Sequence, residues 1–389
     1  MMDAGPRPPV TARTESWRPD GVDRNALVLQ GGGALGAYQA GVYQALHEAG
    51  LEPDWVAGVS IGGINSAIIA GNPPERRLER LRDFWETITA RHVWLVTPDG
   101  DDPRKLRNAW SSMLTTMLGQ PGFFEPNVPN PWLSARGAKT ATSIYSNAPL
   151  RETLLRLVDF DLLNAGTVRY AAGAVNVLNG NFVYFDNAQT TILPEHVMAS
   201  GALPPALPMV RIGTDYFWDG GLVSNTPLQH LLDHAGNDNL LVFQVDLFSA
   251  RGALPRDMYD VLARQKDIQY SSRTRLVTDY FMDRIHHQAQ IRRLLAKLPE
   301  AELSDEERGL KHRLARLPEV AILHLIYQQT VYEGQAKDYE FSGTSMREHW
   351  ASGYNDTRRT LQHREWLKTA ITPGGITVHD VHRADQENA

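Results

Sequence analysis

The chain contains no cysteine among its 389 residues. This absence excludes disulfide bonds, thiolate metal sites and cysteine nucleophiles together. No stretch approaches the roughly 20 consecutive apolar residues that a membrane-spanning helix needs, and residues 1–21 lack the apolar segment of a secretory signal. The sequence therefore predicts a cytoplasmic protein, and peripheral contact with a membrane surface stays open.

An excess of positive charge is also missing. The formal net charge is −6 at pH 7 and the pI is about 6.1, so the chain lacks the overall basic character of nucleic-acid-binding domains. Apolar residues make up 42% of the sequence and charged residues 22%, as in ordinary globular proteins. We therefore expect a globular protein without a nucleic-acid partner, and the sequence leaves its oligomeric state open.

The order of patterns along the chain divides it into three parts. Residues 1–23 are rich in Pro, Arg and Asp and predict a flexible N-terminal tail. Residues 24–250 carry apolar runs that alternate with helical patterns, which is typical of an α/β domain. Within them, residues 94–148 are rich in Gly, Pro and Asn and predict a partly irregular, lid-like insertion. Residues 251–389 are charged and predict a mostly helical C-terminal extension.

The motif GGGALG at residues 31–36 follows a short apolar run, 26–29, and has the spacing of a dinucleotide-binding turn. That interpretation requires an Asp or Glu at the end of the next strand to bind the ribose. Asp54 instead precedes the next apolar run, 55–57, and this run is followed by a serine-containing turn. Dinucleotide binding is therefore a distant alternative for this loop.

The motif GVSIGG at residues 58–63 lies between the second apolar run and another helical pattern. A G-x-S-x-G pattern in this context predicts a nucleophile elbow, a sharp turn that exposes a serine hydroxyl, and it makes Ser60 the candidate nucleophile. A serine that attacks an acyl carbonyl creates an oxyanion, which fixed backbone N–H groups stabilise. The unobstructed N–H groups of Gly31, Gly32 and Gly33 at a helix N-terminus predict such an oxyanion hole.

A nucleophilic serine also needs a general base. An α/β-hydrolase places its serine after several strands and follows it with an acid and then a histidine, whereas Ser60 follows only two predicted strands. Asp219, in YFWDGG at residues 216–221, comes after an aromatic strand and lies on a glycine turn. A carboxylate in an apolar site becomes a stronger base because desolvation disfavours its charged form. Asp219 is therefore the candidate base.

Taken in order, GGGALG at 31–36, GVSIGG at 58–63 and DGG at 219–221 resemble the motifs of the patatin-like phospholipase family. The resemblance covers about residues 24–250 and implies a three-layer α/β/α fold with a central, mostly parallel sheet. Residues 251–389 look like the C-terminal region of a bacterial subgroup of these proteins, to which the resemblance gives no role.

The resemblance implies that Ser60 and Asp219 form a catalytic dyad without histidine and that Gly31, Gly32 and Gly33 form the oxyanion loop. Such proteins hydrolyse acyl esters of lipids without calcium, so we expect neither a metal nor an organic cofactor. The expected function is that of a phospholipase A, lysophospholipase or related esterase that works through an acyl-enzyme.

Other functions stay open at this point. The same dyad would serve an acyltransferase or a thioesterase, since the sequence does not reveal how well the site excludes water. A non-catalytic protein that binds a membrane or a partner through its C-terminal region is a further alternative. His230 and His234, four residues apart, would suit a zinc pair, but the leucines around them favour an ordinary amphipathic helix.

Overall fold

A computed structural model describes residues 18–90, 100–330, 333–334, 336–362 and 375–380. Over these residues, nine strands form one sheet and two more pair with each other separately. In chain order the strands are β1 (Arg24–Leu29), β2 (Trp55–Val59), β3 (Glu125–Pro126), β4 (Tyr145–Ser146), β5 (Arg169–Asn176), β6 (Phe182–Asp186), β7 (Val210–Ile212), β8 (Asp215–Asp219), β9 (Leu240–Asp246), β10 (Val320–Ile326) and β11 (Ile376–Asp380).

The helices of the described residues lie mostly in the connections between these strands. In chain order they are α1 (Ala37–Glu48), α2 (Ile61–Ala70), α3 (Pro74–Ile88), α4 (Asp101–Leu118), α5 (Ala148–Leu157), α6 (Phe160–Asn164), α7 (Pro194–Ser200), α8 (Leu228–His234), α9 (Met258–Tyr270), α10 (Thr274–Leu295), α11 (Asp305–Arg313) and α12 (Gly343–Gln362).

Six neighbouring strands of the large sheet run parallel, in the order β11-β10-β9-β1-β2-β5. β6 and β8 run antiparallel to β5, and β7 runs antiparallel to β8. The strands β1, β2 and β9 are buried along almost their whole length, as expected of parallel strands that are covered on both faces. The predicted mostly parallel sheet is thus confirmed.

Alternate residues of β1 belong to two different cores, one on each face of the sheet. Leu27 and Leu29 pack in a core that includes residues of α1, α2 and α3. Ala26 and Val28 pack instead with residues of α8 and α10. Because successive side chains of a strand point to opposite faces, helices cover both faces of the sheet, and the predicted three-layer α/β/α fold is confirmed.

The C-terminal region supplies α9 to α12 and, in addition, two strands that the prediction of a mostly helical extension did not include. β10 lies parallel to β9, with Val320 opposite Leu240 and Ile326 opposite Asp246, and β11 continues the sheet beyond β10. Charged helical segments flank the apolar run of β10 and hid its strand pattern. The division into a domain and an extension at residue 250 stays a prediction.

Two other predicted segments are described only in part. Residues 1–17 of the predicted tail and 94–99 of the predicted insertion lie outside the described residues. Arg18 forms an ion pair with Asp54, in which Nη2 of Arg18 lies 2.9 Å from both carboxylate oxygens. The described part of the insertion contains α4 and the β3–β4 pair, and its role as a lid stays a prediction.

Helix α12 crosses α1 at very close range. A Cβ atom built on Gly353 would lie 2.0 Å from the carbonyl oxygen of Tyr38, and one built on Gly41 would lie 2.0 Å from that of Trp350. The hydroxyl of Tyr38 donates to Asp356 at 3.0 Å across the same crossing. Only glycine at both positions lets the two helix backbones approach this closely.

Substituting Gly353→Ala should lower the free energy of unfolding by about 1–3 kcal/mol, because the added methyl group overpacks the crossing. The matched control is Gly309→Ala in α11, where an added Cβ would meet only Arg313, at 3.4 Å. That control should raise the free energy of unfolding by about 0.5–1 kcal/mol, since alanine favours the helix. Urea unfolding measures both values, and equal changes in the two variants would contradict the close crossing.

Candidate active site

Ser60 occupies the sharp turn between β2 and α2. Its φ of 56° and ψ of −127° make it the only non-glycine residue with a positive φ among those described. Its N–H donates to both the carbonyl oxygen and the hydroxyl of Ser200, at the end of α7, each at 3.0 Å. A strained backbone that its neighbours hold in place is typical of a nucleophile elbow.

The strands β2 and β8 meet end to end along one edge of β5. Val59 pairs with Gly173, and Asp219 pairs with Ala174, the next residue of β5. Because β2 runs parallel and β8 antiparallel to β5, their C-terminal ends point toward each other. This topology brings Ser60 and Asp219 together, close enough for the Ser60 hydroxyl to lower the pKa of the Asp219 carboxyl group.

The carboxyl group of Asp219 is withdrawn from water, since the residue is only 1% exposed. Burial raises its pKa to about 7, while the nearby Ser60 hydroxyl and the hydrogen bond from the N–H of Gly221, at 2.7 Å, act in the opposite direction. No histidine is among its hydrogen-bond partners in the described part of the chain. A pKa near neutrality suits a group that must take up and return a proton.

The glycine loop lies directly beside Ser60. A Cβ atom built on Gly31 would lie 3.0 Å from the Cβ of Ser60 and 2.4 Å from Oδ1 of Asn225. The N–H of Gly31 donates to the carbonyl oxygen of Asn225 at 3.2 Å, so it is engaged within the protein. The N–H groups of Gly32 and Gly33 have no hydrogen-bond partner among the described residues. Of the three predicted oxyanion donors, these two are available to a ligand.

Two family models match this chain. One, described as patatin-like phospholipase, matches residues 27–232, and the other, described as patatin phospholipase, matches residues 268–371. The first match covers more than half of the chain and includes the glycine loop, Ser60 and Asp219. The chain belongs to the patatin-like phospholipase family.

Individual relatives match over short segments. Patatin-like phospholipase domain-containing protein 6 of Homo sapiens is 42% identical over 66 residues, which are 17% of this chain and 5% of that protein. Lysophospholipase nte1 of Aspergillus terreus is 54% identical over 44 residues, which are 11% of this chain and 3% of that protein. The matched segments therefore span less than a tenth of these relatives.

Solved structures resemble the chain at low sequence identity. VipD from Legionella pneumophila is 14% identical with a TM-score of 0.39, and the match covers 94% of this chain and 73% of that one. The type III effector protein ExoU is 14% identical with a TM-score of 0.31, and the match covers 89% of this chain and 54% of that one.

A row of buried amide side chains holds the glycine loop of this patatin-like protein in place. The side-chain oxygen of Gln30 accepts from the N–H groups of Leu247 and Phe248, at 2.6 and 2.9 Å. The amide of Gln39 donates to the Gln30 carbonyl oxygen at 2.6 Å, and that of Asn65 donates to Gln39 at 2.9 Å. The sequence alone does not reveal the role of these residues, because a single polar residue in an apolar segment does not indicate its hydrogen-bond partner.

His230 and His234, the two histidines that would suit a zinc pair, form hydrogen bonds with groups other than Ser60 and Asp219. His230 Nε2 lies 3.0 Å from Oδ2 of Asp186, which also pairs with Arg169 at 2.7 Å. His234 bonds to the carbonyl oxygen of His230 at 2.8 Å, as neighbours one turn apart on α8. Within the described ranges, no group of three or more His, Asp or Glu residues is arranged to hold a metal ion.

A cavity of about 1870 Å³ lies between α4, α9 and the segment around Tyr339. Ser60 and Asp219 are not among the described residues that line it. Tyr339 does line it, and burial together with the charges of Asp338 and Asp219 raises the pKa of Tyr339. The residue before Tyr339 in the chain, Asp338, contacts Gly33, so the cavity reaches close to the glycine loop.

The raised pKa of Asp219 predicts a pH-dependent difference in stability between the wild type and Asp219→Asn. An aspartate in the unfolded chain ionises near about pH 4, whereas the folded protein holds the Asp219 proton up to about pH 7. The wild type should therefore lose stability relative to the variant as the pH rises between these values, by up to about 4 kcal/mol. Urea unfolding from about pH 4 to pH 8 measures this change. A difference that stays constant with pH would contradict the buried, protonated carboxyl group.

Proposed function

We propose that this protein is a serine-dependent hydrolase of lipid acyl esters, of the phospholipase A or lysophospholipase type, with Ser60 and Asp219 as its catalytic dyad. The observation that carries the proposal is that the facing ends of β2 and β8 bring Ser60 next to the buried carboxyl group of Asp219. Membership of the patatin-like phospholipase family supports the same activity, and a relative named as a lysophospholipase favours lipids as the substrate class.

In the first half of the proposed reaction, Ser60 Oγ attacks the acyl carbonyl carbon while the carboxylate of Asp219 accepts the hydroxyl proton. A hydrogen bond between these two neighbouring side chains would supply the path for this proton. With a pKa near 7, Asp219 is partly ionised at neutral pH and is a stronger base than an exposed carboxylate. The protonated carboxyl group then donates to the leaving alcohol oxygen, and the acyl group stays on Ser60 as an ester.

The N–H groups of Gly32 and Gly33 would receive the negative charge that develops on the carbonyl oxygen. They lie where the chain enters the helical segment that leads into α1, so the helix dipole adds positive potential. Removal of one oxyanion donor typically raises a reaction barrier by about 3 kcal/mol. The two free N–H groups lie on the loop that contacts Ser60 through Gly31, and in this proposal they supply a substantial share of the catalysis.

In the second half of the reaction, water attacks the acyl-enzyme. The carboxylate of Asp219 takes a proton from this water, and the proton returns to Ser60 Oγ as the ester bond breaks. The products are a free fatty acid and the free serine hydroxyl. Both halves use the same carboxylate as base and then as acid, and the proposed steps draw only on residues of this chain.

The proposed substrates lie in membranes, and α4 presents an apolar surface that suits them. Leu106, Trp110, Met113 and Met117 lie along one face of α4, and each is at least half exposed; we call them the α4 stripe. Met113 also lines the cavity near the dyad. None of the described helices is long and apolar enough to span a bilayer. We propose that the α4 stripe rests on the lipid surface.

Replacing the nucleophile tests the dyad. Ser60→Ala should lower the hydrolysis of a nitrophenyl acyl ester by at least about 1000-fold and should prevent labelling by a fluorophosphonate. Asp219→Asn should lower the rate by roughly 100- to 10,000-fold, because an amide cannot accept the proton. The matched control is Ser66→Ala, at a buried serine in α2, the helix that follows Ser60, and this variant should keep the wild-type rate. Full activity of a folded Ser60→Ala variant would contradict the proposal.

Analysis of the products separates hydrolysis from the other activities of such a dyad. Phosphatidylcholine, a lysophospholipid and an acyl thioester are each incubated with the enzyme, with and without an added alcohol. Free fatty acid as the main product supports the hydrolase. Transfer of the acyl group to the alcohol would indicate an acyltransferase. Preference for the thioester would indicate a thioesterase, and no turnover of any substrate would indicate a binding protein.

Trp110→Ser combined with Met117→Ser should weaken binding to phosphatidylcholine vesicles at least about tenfold, because apolar surface that would leave water on binding is lost. Hydrolysis of a short, soluble ester should not change. The matched control is Leu178→Ser, which removes an apolar side chain that is 74% exposed between β5 and β6. Equal losses of vesicle binding in both proteins, or none in either, would contradict docking through the α4 stripe.

A further inference from the structure

The turn Lys337–Tyr339 of the C-terminal region packs directly on the glycine loop. Gly33 has a φ of +54°, and a Cβ atom built on it would lie 2.3 Å from the carbonyl oxygen of Asp338. The two backbones are therefore in contact with no side chain between them. A shift of this turn would change the space available to Gly33, one of the two proposed oxyanion donors.

The last residue of α9 contacts the start of the same loop. The carbonyl oxygen of Tyr270 accepts hydrogen bonds from the side-chain amides of Gln30 and Asn225, both at 3.0 Å. Asn225 in turn bonds to Gly31, through its side-chain amide at 3.0 Å and through its carbonyl oxygen at 3.2 Å. The loop is thus held by α9 at its start and by the Lys337–Tyr339 turn at Gly33.

Two reciprocal ion pairs join α9 to this turn. Nζ of Lys266 lies 2.5 Å from Oδ1 of Asp338, and Nζ of Lys337 lies 2.7 Å from Oδ1 of Asp267. Lys337 also donates to the side chain of Gln329 at 2.8 Å. The side chains of Lys337, Asp338 and Asp267 are only 3%, 11% and 13% exposed, so water and salt screen these pairs less than surface pairs. We call the four paired residues the Lys-Asp clasp.

We propose that the Lys-Asp clasp positions the oxyanion loop, because it joins α9 to the Lys337–Tyr339 turn and both of these contact the loop. The clasp residues do not touch the reacting atoms. They act through Tyr270 and the Asp338 backbone on Gly31 and Gly33, and so they fix the backbone that carries the N–H groups of Gly32 and Gly33. This inference rests on the proposed function, and it gives the C-terminal region a part in catalysis.

A positioning role and a purely structural role differ in what they do to the kinetic constants. Oxyanion stabilisation acts in the transition state, so its loss lowers kcat and leaves KM nearly unchanged. A clasp that only stabilised the fold would lower the folded fraction and leave the kcat of each folded molecule unchanged. Kinetic constants that are corrected for the folded fraction therefore separate the two roles.

The test compares three variants of the full chain with a nitrophenyl ester. Lys266→Met should lower kcat about 10- to 100-fold with KM within about twofold, since small displacements of catalytic groups have effects of this size. Lys266→Arg, which keeps the charge, should retain kcat within about threefold. The matched control is Lys311→Met. It removes a lysine of α11 that forms an exposed ion pair with Glu300, and it should behave as the wild type.

A second readout does not depend on activity. Hydrogen–deuterium exchange of the peptide that covers residues 30–36 should become faster in Lys266→Met and stay unchanged in Lys311→Met. If Ser60→Ala kept full activity, the proposed function would fail, and this exchange would still decide whether the clasp holds the loop. Where Lys266→Met folds poorly, Asp267→Asn tests the other ion pair by the same measurements. Unchanged loop exchange, or an equal fall of kcat in the Lys311→Met control, would overturn the inference.

Discussion

The close approach of Ser60 to the desolvated carboxyl group of Asp219 is the interaction on which the proposed chemistry depends. A carboxylate in water is too weak a base to activate a serine efficiently, and burial raises its pKa into the useful range. The sheet makes this burial possible, because β5 receives β2 and β8 along one edge, with Gly173 and Ala174 opposite their ends. Serine and carboxylate therefore meet where the C-terminal ends of β2 and β8 face each other.

The C-terminal region packs against the same sheet and the same glycine loop. β10 adds directly to β9, α12 crosses α1 through Gly41 and Gly353, and the Lys337–Tyr339 turn lies on Gly33. The two matched family models, over residues 27–232 and 268–371, thus describe strands of one sheet. A role for the second segment in positioning the glycine loop follows naturally from this arrangement, since the loop has neighbours from both segments.

Features with a local cause were predictable from the sequence. The apolar runs of β1 and β2, the glycine spacing between them and the strand–turn–helix order around Ser60 each follow from a few adjacent residues. Contacts between distant residues were not predictable. Asn225, whose carbonyl oxygen accepts a hydrogen bond from the N–H of Gly31, lies 194 positions away, and no local pattern connects the two residues. For the same reason no local pattern identifies β10 as a neighbour of β9 or shows that the N–H of Gly31 is engaged within the protein, and the oxyanion role of Gly31, Gly32 and Gly33 stays a prediction.

The most direct test of the buried dyad is the pH dependence of the rate at which a fluorophosphonate labels Ser60. The ionisation of the base in the free enzyme controls this rate. If Asp219 is the base, the rate should rise with an apparent pKa near 7 and level off above it. A rate that is already maximal near about pH 5, as an ordinary exposed carboxylate would give, would contradict a desolvated Asp219 acting on Ser60.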